Sequence, residues 1–262
     1  MLHYQATENK AKQIIFIHGN SQSLQLWDEV IDAKELKETY QMIAADLPGH
    51  GKSFISKQAD KDYTIPAMAG HLNEFITSIN PSDFIIVANS MGTNIVGEIA
   101  LSLKNCKGVF FTGACIAGSN ITPAEILMPN LNLIPFFTAQ VSDEAFDKMI
   151  VDGLYHSSAE SKQKCKDMYK ATDPAFREQW MASISRQEWT DEIENLNKLS
   201  VPVAVVYGAN DNFTAKDYLK GLITNGWKNE IIMISGAGHF IQIDQPKALS
   251  NLIKEFVKDC FK

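Results

Sequence analysis

The chain has 262 residues, 45% of them hydrophobic, and a formal net charge of −7. That length suits one large domain or a core with an insertion, and the acidic balance argues against a nucleic-acid or anionic-membrane surface, which needs a basic patch. The four cysteines (Cys106, Cys115, Cys165 and Cys260) form no CxxC pair, no charged-then-apolar leader precedes the first strand, and no apolar run approaches the roughly 18 residues of a membrane span, so free thiols in a reducing, cytoplasmic setting are expected.

In chain order, Leu2-His3-Tyr4-Gln5-Ala6 alternates as a short edge strand does, and Gln13–Ile17 reads as a buried strand. His18-Gly19-Asn20-Ser21-Gln22-Ser23 follows at its carboxyl end. Trp27, Val30 and Leu36 suggest a short amphipathic helix. Gln41–Ala45 is the next strand and runs into the turn-rich Asp46-Leu47-Pro48-Gly49-His50-Gly51-Lys52-Ser53. Ile65, Met68, Ala69, Leu72, Phe75, Ile76 and Ile79 keep a 3.6-residue period, which predicts a helix.

The apolar run Phe84–Ala88 leads into Asn89-Ser90-Met91-Gly92-Thr93, after which Ile95, Val96, Ile99 and Leu103 recur at helical spacing. This is strand, sharp turn and helix with a serine at the apex, a nucleophile elbow of the form small-x-Ser-x-Gly in which Ala88 takes the first small position. The ordinary alternative is a βα turn that happens to hold a serine. Val109–Phe111 is a further strand, ending at Thr112-Gly113.

From about Gly118 to Leu199 the strand-like runs stop. Helical patches are expected around Pro123–Met128, Asp143–Val151, Ser161–Tyr169 and Pro174–Ile184. Strands resume at Val203–Tyr207 and Ile231–Ile234, and a last helix buries Leu249, Leu252, Ile253, Phe256 and Val257. Apolar strands alternating with helices imply an α/β fold with a mostly parallel, doubly wound sheet. Residues 118–199 are expected to form a helical cap on a core made of 1–117 and 200–262, above the strand ends where such sheets place ligands.

A serine nucleophile needs a base that titrates near neutrality. Of six histidines, His18 and His50 lie in turn motifs, His71 on a helix, His3 near the terminus and His156 in the cap. His239 alone sits in a small-residue loop directly after the last strand. Asp211, a Gly-Ala-Asn turn beyond Val203–Tyr207, is the expected acid, with Asp217 as the fallback. The order Ser90, Asp211, His239 is that of a hydrolase-fold triad. The N–H groups of Met91 and Asn20 are the expected oxyanion donors, with the Asn20 side-chain amide as an extra donor. No HxH or HExxH pattern occurs, so neither a metal nor a cofactor is expected.

Five motifs thus stand in one order: His18-Gly19, Asp46 to Ser53, Asn89-Ser90-Met91-Gly92, Tyr207-Gly208 to Asp211, and Gly236 to His239. On them the chain resembles the α/β-hydrolase family over essentially its whole length. The resemblance implies a sheet one strand short, since only about a dozen residues precede Ile14. A closer resemblance is to the α/β-hydrolase N-acyl-homoserine lactonases, carried by His18–Ser21, the loop through Ser53, Thr112-Gly113, Pro202–Gly208, Asp211-Asn212-Phe213 and Phe256–Cys260. The acid of that branch is a glutamate where this chain has Asp211.

The resemblance implies a serine hydrolase that cleaves an ester or lactone through an acyl-enzyme, acting on a small molecule as a monomer or homodimer, with neither nucleic acid nor membrane as partner. Leu127, Met128, Leu131, Leu133, Ile134, Phe136 and Phe137 would line an acyl pocket or form the cap's own core. A general carboxylesterase, a C–C-bond hydrolase and a non-catalytic signal receptor on the same fold are the alternatives.

Overall fold

A computed structural model of the chain describes residues 1–262. Its seven strands are β1 (Tyr4–Ala6), β2 (Lys12–Ile17), β3 (Gln41–Ala45), β4 (Asp83–Asn89), β5 (Cys106–Thr112), β6 (Val203–Gly208) and β7 (Gly226–Ile234), in the sheet order β1-β3-β2-β4-β5-β6-β7. The edge strand β1 is antiparallel to β3; all other neighbours are parallel. This is the expected fold, with one antiparallel strand at the amino end.

Alternate residues of each central strand serve opposite faces. Ile15, Ile17, Ile86 and Ala88 join a buried cluster of 34 residues. Ile14, Phe16, Ile85 and Val87 join one of 33. Clusters of nearly equal size mean that helices cover both faces, which explains why these strands are apolar without alternation. Each such buried Ile or Val contributes about 1.5–3 kcal/mol.

The strand order reverses beside β2. The chain goes from β2 to β3 on one side, then crosses back to place β4 on the other. A crevice opens above the carboxyl ends at such a switch point, here between the His18-Gly19 loop and the turn at Ser90.

The predicted helix is found at Ile65–Ile79. Thr64 caps it by accepting from Ala67 N–H, and Asn80 ends it in a left-handed conformation (φ 45°). Elsewhere local context overrides the pattern. The segment with Trp27, Val30 and Leu36 is three short pieces, Leu24–Trp27, Asp28–Ile31 and Lys34–Lys37. β7 begins at Gly226, five residues before the apolar run, and holds Lys228 and Asn229 at positive φ. No strand occurs between β5 and β6; the helices there are Pro123–Ile126, Leu131–Phe136 (3-10), Asp143–Gly153, Ala159–Lys170, Pro174–Ser185 and Glu192–Asn197. The last of these and the 3-10 turn lack a clear apolar period, and the sequence reading passes over them.

Arg177, 3% exposed, ties this segment to the core. Its Nε donates to Thr138 O (3.0 Å), its guanidinium stacks on Tyr169 (4.1 Å), and Nη1 reaches Ser21 Oγ (3.4 Å).

His18 and His50 brace the loops, as their turn settings imply. His18 Nε2 accepts from Leu47 N–H (3.0 Å) with Nδ1 against Gly19 O (2.7 Å); His50 Nε2 accepts from Ser21 N–H (3.2 Å) with Nδ1 against Pro48 O (2.9 Å). A proton on Nε2 would face a donor with a donor. Burial lowers the pKa of both rings, and for His50 the neighbouring His18 and Arg177 lower it further. The folded state therefore favours neutral rings. Their stabilisation is complete above the unfolded value of about 6.5 and is lost as pH falls through the lower folded values. Thermal stability should decline with acidification from about pH 6.5, and His50→Gln, which cannot take the proton, should flatten that slope. An unchanged slope would contradict this role.

Candidate active site

Ser90 lies between the last residue of β4 and the helix Met91–Ile99, with φ 51° and ψ −126°. A non-glycine residue held there costs about 1–3 kcal/mol, so the surroundings must fix it. Ser90 N–H donates to Thr112 O (3.0 Å), while Ser90 O accepts from Thr93 N–H (2.8 Å) and Thr93 Oγ1 (2.6 Å). Gly92 must be glycine: a Cβ there would lie 2.5 Å from His18 O. Elbow helix and His18 loop are thus in direct backbone contact.

A buried polar network underlies the turn. Asn89 Oδ1 accepts from Thr112 Oγ1 (2.9 Å) and Gln242 Nε2 (3.1 Å), and Gln242 Nε2 also reaches Thr112 Oγ1 (2.8 Å). Asn89 Nδ2 donates to Gln22 Oε1 (3.1 Å), which accepts from Gly19 N–H as well (2.6 Å). Four segments that carry site residues are joined by side chains no more than 3% exposed.

Asp211 and His239 meet across the ends of β6 and β7. His239 Nδ1 lies 2.8 Å from Asp211 Oδ2, with the two side chains 4% and 0% exposed. Asp211 Oδ2 also accepts from Thr214 Oγ1 (2.6 Å), and Oδ1 accepts from the N–H groups of Phe213 (2.8 Å) and Thr214 (3.1 Å). Burial pushes the Asp211 carboxyl upward, but His239 and these donors outweigh it and hold the carboxyl below its usual range. Asp217, the fallback acid, is exposed in a turn and not in a helix, because Ala215–Leu219 winds back toward Leu222 through turn bonds. The other histidines stay outside this pairing.

Ser90 and His239 line one cleft, together with Asn20, Gln22 and Met91. Ser90 Oγ is 4.0 Å from Cys115 Sγ and forms no hydrogen bond to His239 in this structure. Catalytic hydrogen bonds of this kind commonly tighten on substrate binding. Asn20 N–H has no backbone or side-chain acceptor. Met91 is the first helical residue, so its N–H has no acceptor within the helix. The Asn20 side-chain amide is engaged elsewhere, contrary to expectation. Its Nδ2 donates to Phe136 O (2.8 Å) and its Oδ1 accepts from Ser21 Oγ. The amide fastens the cap segment through one of its two N–H groups.

The cleft measures about 830 Å³ including its open mouth, and 14 of its 22 lining residues are hydrophobic, so it suits an apolar group. Leu127, Leu133, Phe136 and Phe137 are among them. Met128, Leu131 and Ile134 are not; they are 42%, 81% and 53% exposed. The 3-10 helix repeats every three residues, so Leu133 and Phe136 share an inward face while Leu131 and Ile134 share an outward one. Leu127 bridges to Thr214, which turns the adjacent Met128 outward. Sequence reasoning missed the opposite wall, Ile65, Trp180, Ile184 and Trp189, because two helices far apart in the chain and the loop after the second supply it.

Glu192 is also at this wall and fully buried. It accepts from Ala117 N–H (2.6 Å) and Asn94 Nδ2 (3.0 Å), and Asn94 Nδ2 reaches Cys115 O (2.6 Å). Burial raises its pKa well above the usual range, and the nearby Glu98 adds to the effect. This buried carboxyl, whose surroundings favour its neutral form, braces the exit of β5. No sequence signal marks it. No group of three or more His, Cys, Asp or Glu side chains is arranged to hold a metal ion, and no helix is long and apolar enough to cross a membrane.

The family model described as alpha/beta hydrolase fold matches residues 12–246. The chain belongs to the α/β-hydrolase family. Among relatives in this family, monoacylglycerol lipase abhd6-A of Xenopus laevis is 23% identical over 266 residues, covering 95% of this chain and 76% of its own. The uncharacterized hydrolase YugF of Bacillus subtilis (strain 168) is 24% identical over 271 residues, covering 98% and 94%. Of solved structures, the N-acyl homoserine lactonase AidH complexed with N-butanoyl homoserine superposes with a TM-score of 0.88 at 20% identity, over 99% of this chain and 93% of that one. A thermophilic esterase from Thermogutta terrifontis gives 0.79 at 19% identity, over 100% and 94%. At such identities the likeness is one of α/β-hydrolase fold. It agrees with the family resemblance read from the motifs.

Cys115 lies beside Ser90, yet burial, then the Asp211 charge, push its thiol up to about 12. Burial raises Cys106 to about 11, and Cys165 and Cys260 to about 12. All four are unpaired. Alkylation by iodoacetamide at pH 8 should therefore be at least ~100-fold slower in the folded chain than in the unfolded one at every cysteine. Rapid labelling of Cys115 would contradict the assigned environment.

Proposed function

We propose that this chain is a serine hydrolase that cleaves a carboxylic ester or lactone, and that N-acyl-homoserine lactones are among its substrates. The observation that carries the reading is the meeting, in one apolar cleft, of a strained Ser90, a His239 whose Nδ1 side is held by ionised Asp211, and two N–H groups at the mouth of the elbow helix.

In the proposed reaction Ser90 Oγ attacks the carbonyl carbon while its proton passes to His239 Nε2. Asp211 keeps the proton on Nδ1 and balances the imidazolium charge. The Asn20 and Met91 N–H groups receive the oxyanion. The C–O bond then breaks, and His239 returns the proton to the leaving oxygen, which in a lactone remains tethered to the acyl-enzyme. Water, losing its proton to His239, attacks the acyl carbon, and as the Oγ–acyl bond breaks His239 returns that proton to Ser90 Oγ, freeing the acid. The cleft would hold the acyl chain, with Leu127, Leu133, Phe136 and Phe137 on the cap side. We take 118–199 as the cap and 1–117 with 200–262 as the core, and infer from the unpaired cysteines a reducing, cytoplasmic setting.

Ser90→Ala should lower kcat by about 10⁴ or more without loss of fold, and an organophosphonate should label Ser90 alone. Asp211→Asn should cost a factor of about 10³–10⁴ in kcat, since the amide favours the wrong tautomer, whereas Asp217→Asn should be silent. Turnover of acyl lactones, aryl esters and vinylogous diketones by purified protein compares the substrate classes. Hydrolysis of a bound lactone only once would instead indicate a signal receptor.

A further inference from the structure

Gln22 is 3% exposed, and its amide has only one orientation open to it. Oε1 accepts from Gly19 N–H (2.6 Å) and Asn89 Nδ2 (3.1 Å), so the oxygen must face those donors and the NH₂ must face away. Nε2 has no acceptor within hydrogen-bonding distance, and it is not sealed in the protein either: Gln22 lines the cleft, and its amide nitrogen is absent from the fully enclosed, unpartnered atoms. The amide also lies beside the nucleophile. A Cβ placed on Gly19 would sit 2.9 Å from both Gln22 Oε1 and Ser90 Cβ. The other cleft amides have acceptors, Asn20 Nδ2 in Phe136 O and Asn94 Nδ2 in Cys115 O and Glu192, whereas Gln22 Nε2 has none. Gln22 therefore presents an unused donor in a mostly apolar chamber. It also borders a narrow crevice of about 10 Å³, room for little more than one water, lined by Met149, Ile150 and Met168.

We propose that Gln22 Nε2 is a substrate-binding site for a second carbonyl oxygen, one next to the group being cleaved, as in an N-acylated lactone. This rests on the ester or lactone hydrolase reading. A donor left without an acceptor in an apolar site is costly. A substrate that supplies the acceptor is favoured over one that does not, and such sites discriminate strongly against analogues lacking the group.

The test compares N-hexanoyl-homoserine lactone with the neutral lactone in which two methylenes replace its amide, α-heptyl-γ-butyrolactone. Gln22→Glu keeps the oxygen that receives Gly19 N–H and Asn89 Nδ2 but removes the NH₂. The wild type should favour the amide lactone in kcat/KM by about tenfold or more. Gln22→Glu should erase that preference; its carboxylate beside the proposed oxyanion site should slow both lactones, and the amide lactone by about tenfold more than the alkyl lactone. Equal losses on both lactones would make Gln22 only a brace for the Gly19 loop, and an unchanged preference would leave it no contact with substrate; either result overturns the proposal. Affinities of both lactones for Ser90→Ala, with the Gln22 side-chain NH₂ resonances followed by NMR, need neither turnover nor the Gln22 variant. A shift with the amide lactone alone supports the site, and no shift overturns it. If neither lactone is hydrolysed yet the amide lactone moves those resonances, the hydrolase reading fails and the Gln22 site stands.

Discussion

Everything at the mouth of the sheet depends on holding one serine in a backbone conformation that serine disfavours. Ser90 has φ 51°, and the strain of about 1–3 kcal/mol persists only because the turn is over-determined. Thr112 O holds its N–H, Thr93 holds its carbonyl, and Gly92 lets the helix close on His18 O. Thr112 belongs to β5, Gly92 to the elbow helix and His18 to the loop after β2. The strain is spread over three strand ends instead of one loop.

The polar network below Ser90 extends this. Gln22, Asn89, Thr112 and Gln242 reach the Gly19 loop, the elbow, the end of β5 and the helix beyond His239. Buried polar groups stabilise only when their partners are supplied. Here every donor and acceptor but Gln242 Oε1, which is sealed in, and Gln22 Nε2 finds one, which fixes the relative positions of the groups proposed as nucleophile, base and oxyanion donors. Gln22 Nε2 stands out because it is left open toward the cleft.

The charges around the cleft follow from burial. Asp211 stays ionised because four hydrogen bonds converge on it. Glu192, equally buried but with fewer donors and Glu98 nearby, has its pKa raised, so the fold favours its neutral form. The two acids separate by environment, leaving one fixed negative charge next to His239 and an otherwise apolar wall. The cap closes this wall through Asn20 Nδ2 on Phe136 O and Arg177 on Ser21 and Thr138, so the loop that carries the proposed oxyanion donor also anchors the cap.

Local signals in the sequence determined much of this. Continuous apolar runs gave the parallel strands, a 3.6-residue period gave the helix Ile65–Ile79, and a small-x-Ser-x-Gly turn marked Ser90. Asp211 and His239 were legible because each follows a strand in a turn too small to be core. What only the tertiary structure decided involves partners distant in the chain. The Asn20 amide turns to Phe136, 116 residues away. Met128 faces outward because Leu127 bridges to Thr214. Ile65 and Trp180 share a cleft wall although no periodicity links them, the Glu192 pKa is raised by burial and then by Glu98, and the freedom of Gln22 Nε2 follows from where Gly19 and Asn89 direct their N–H groups. Period and turn chemistry are written in neighbouring residues, but hydrogen-bond orientation and burial depend on which strands the fold brings side by side.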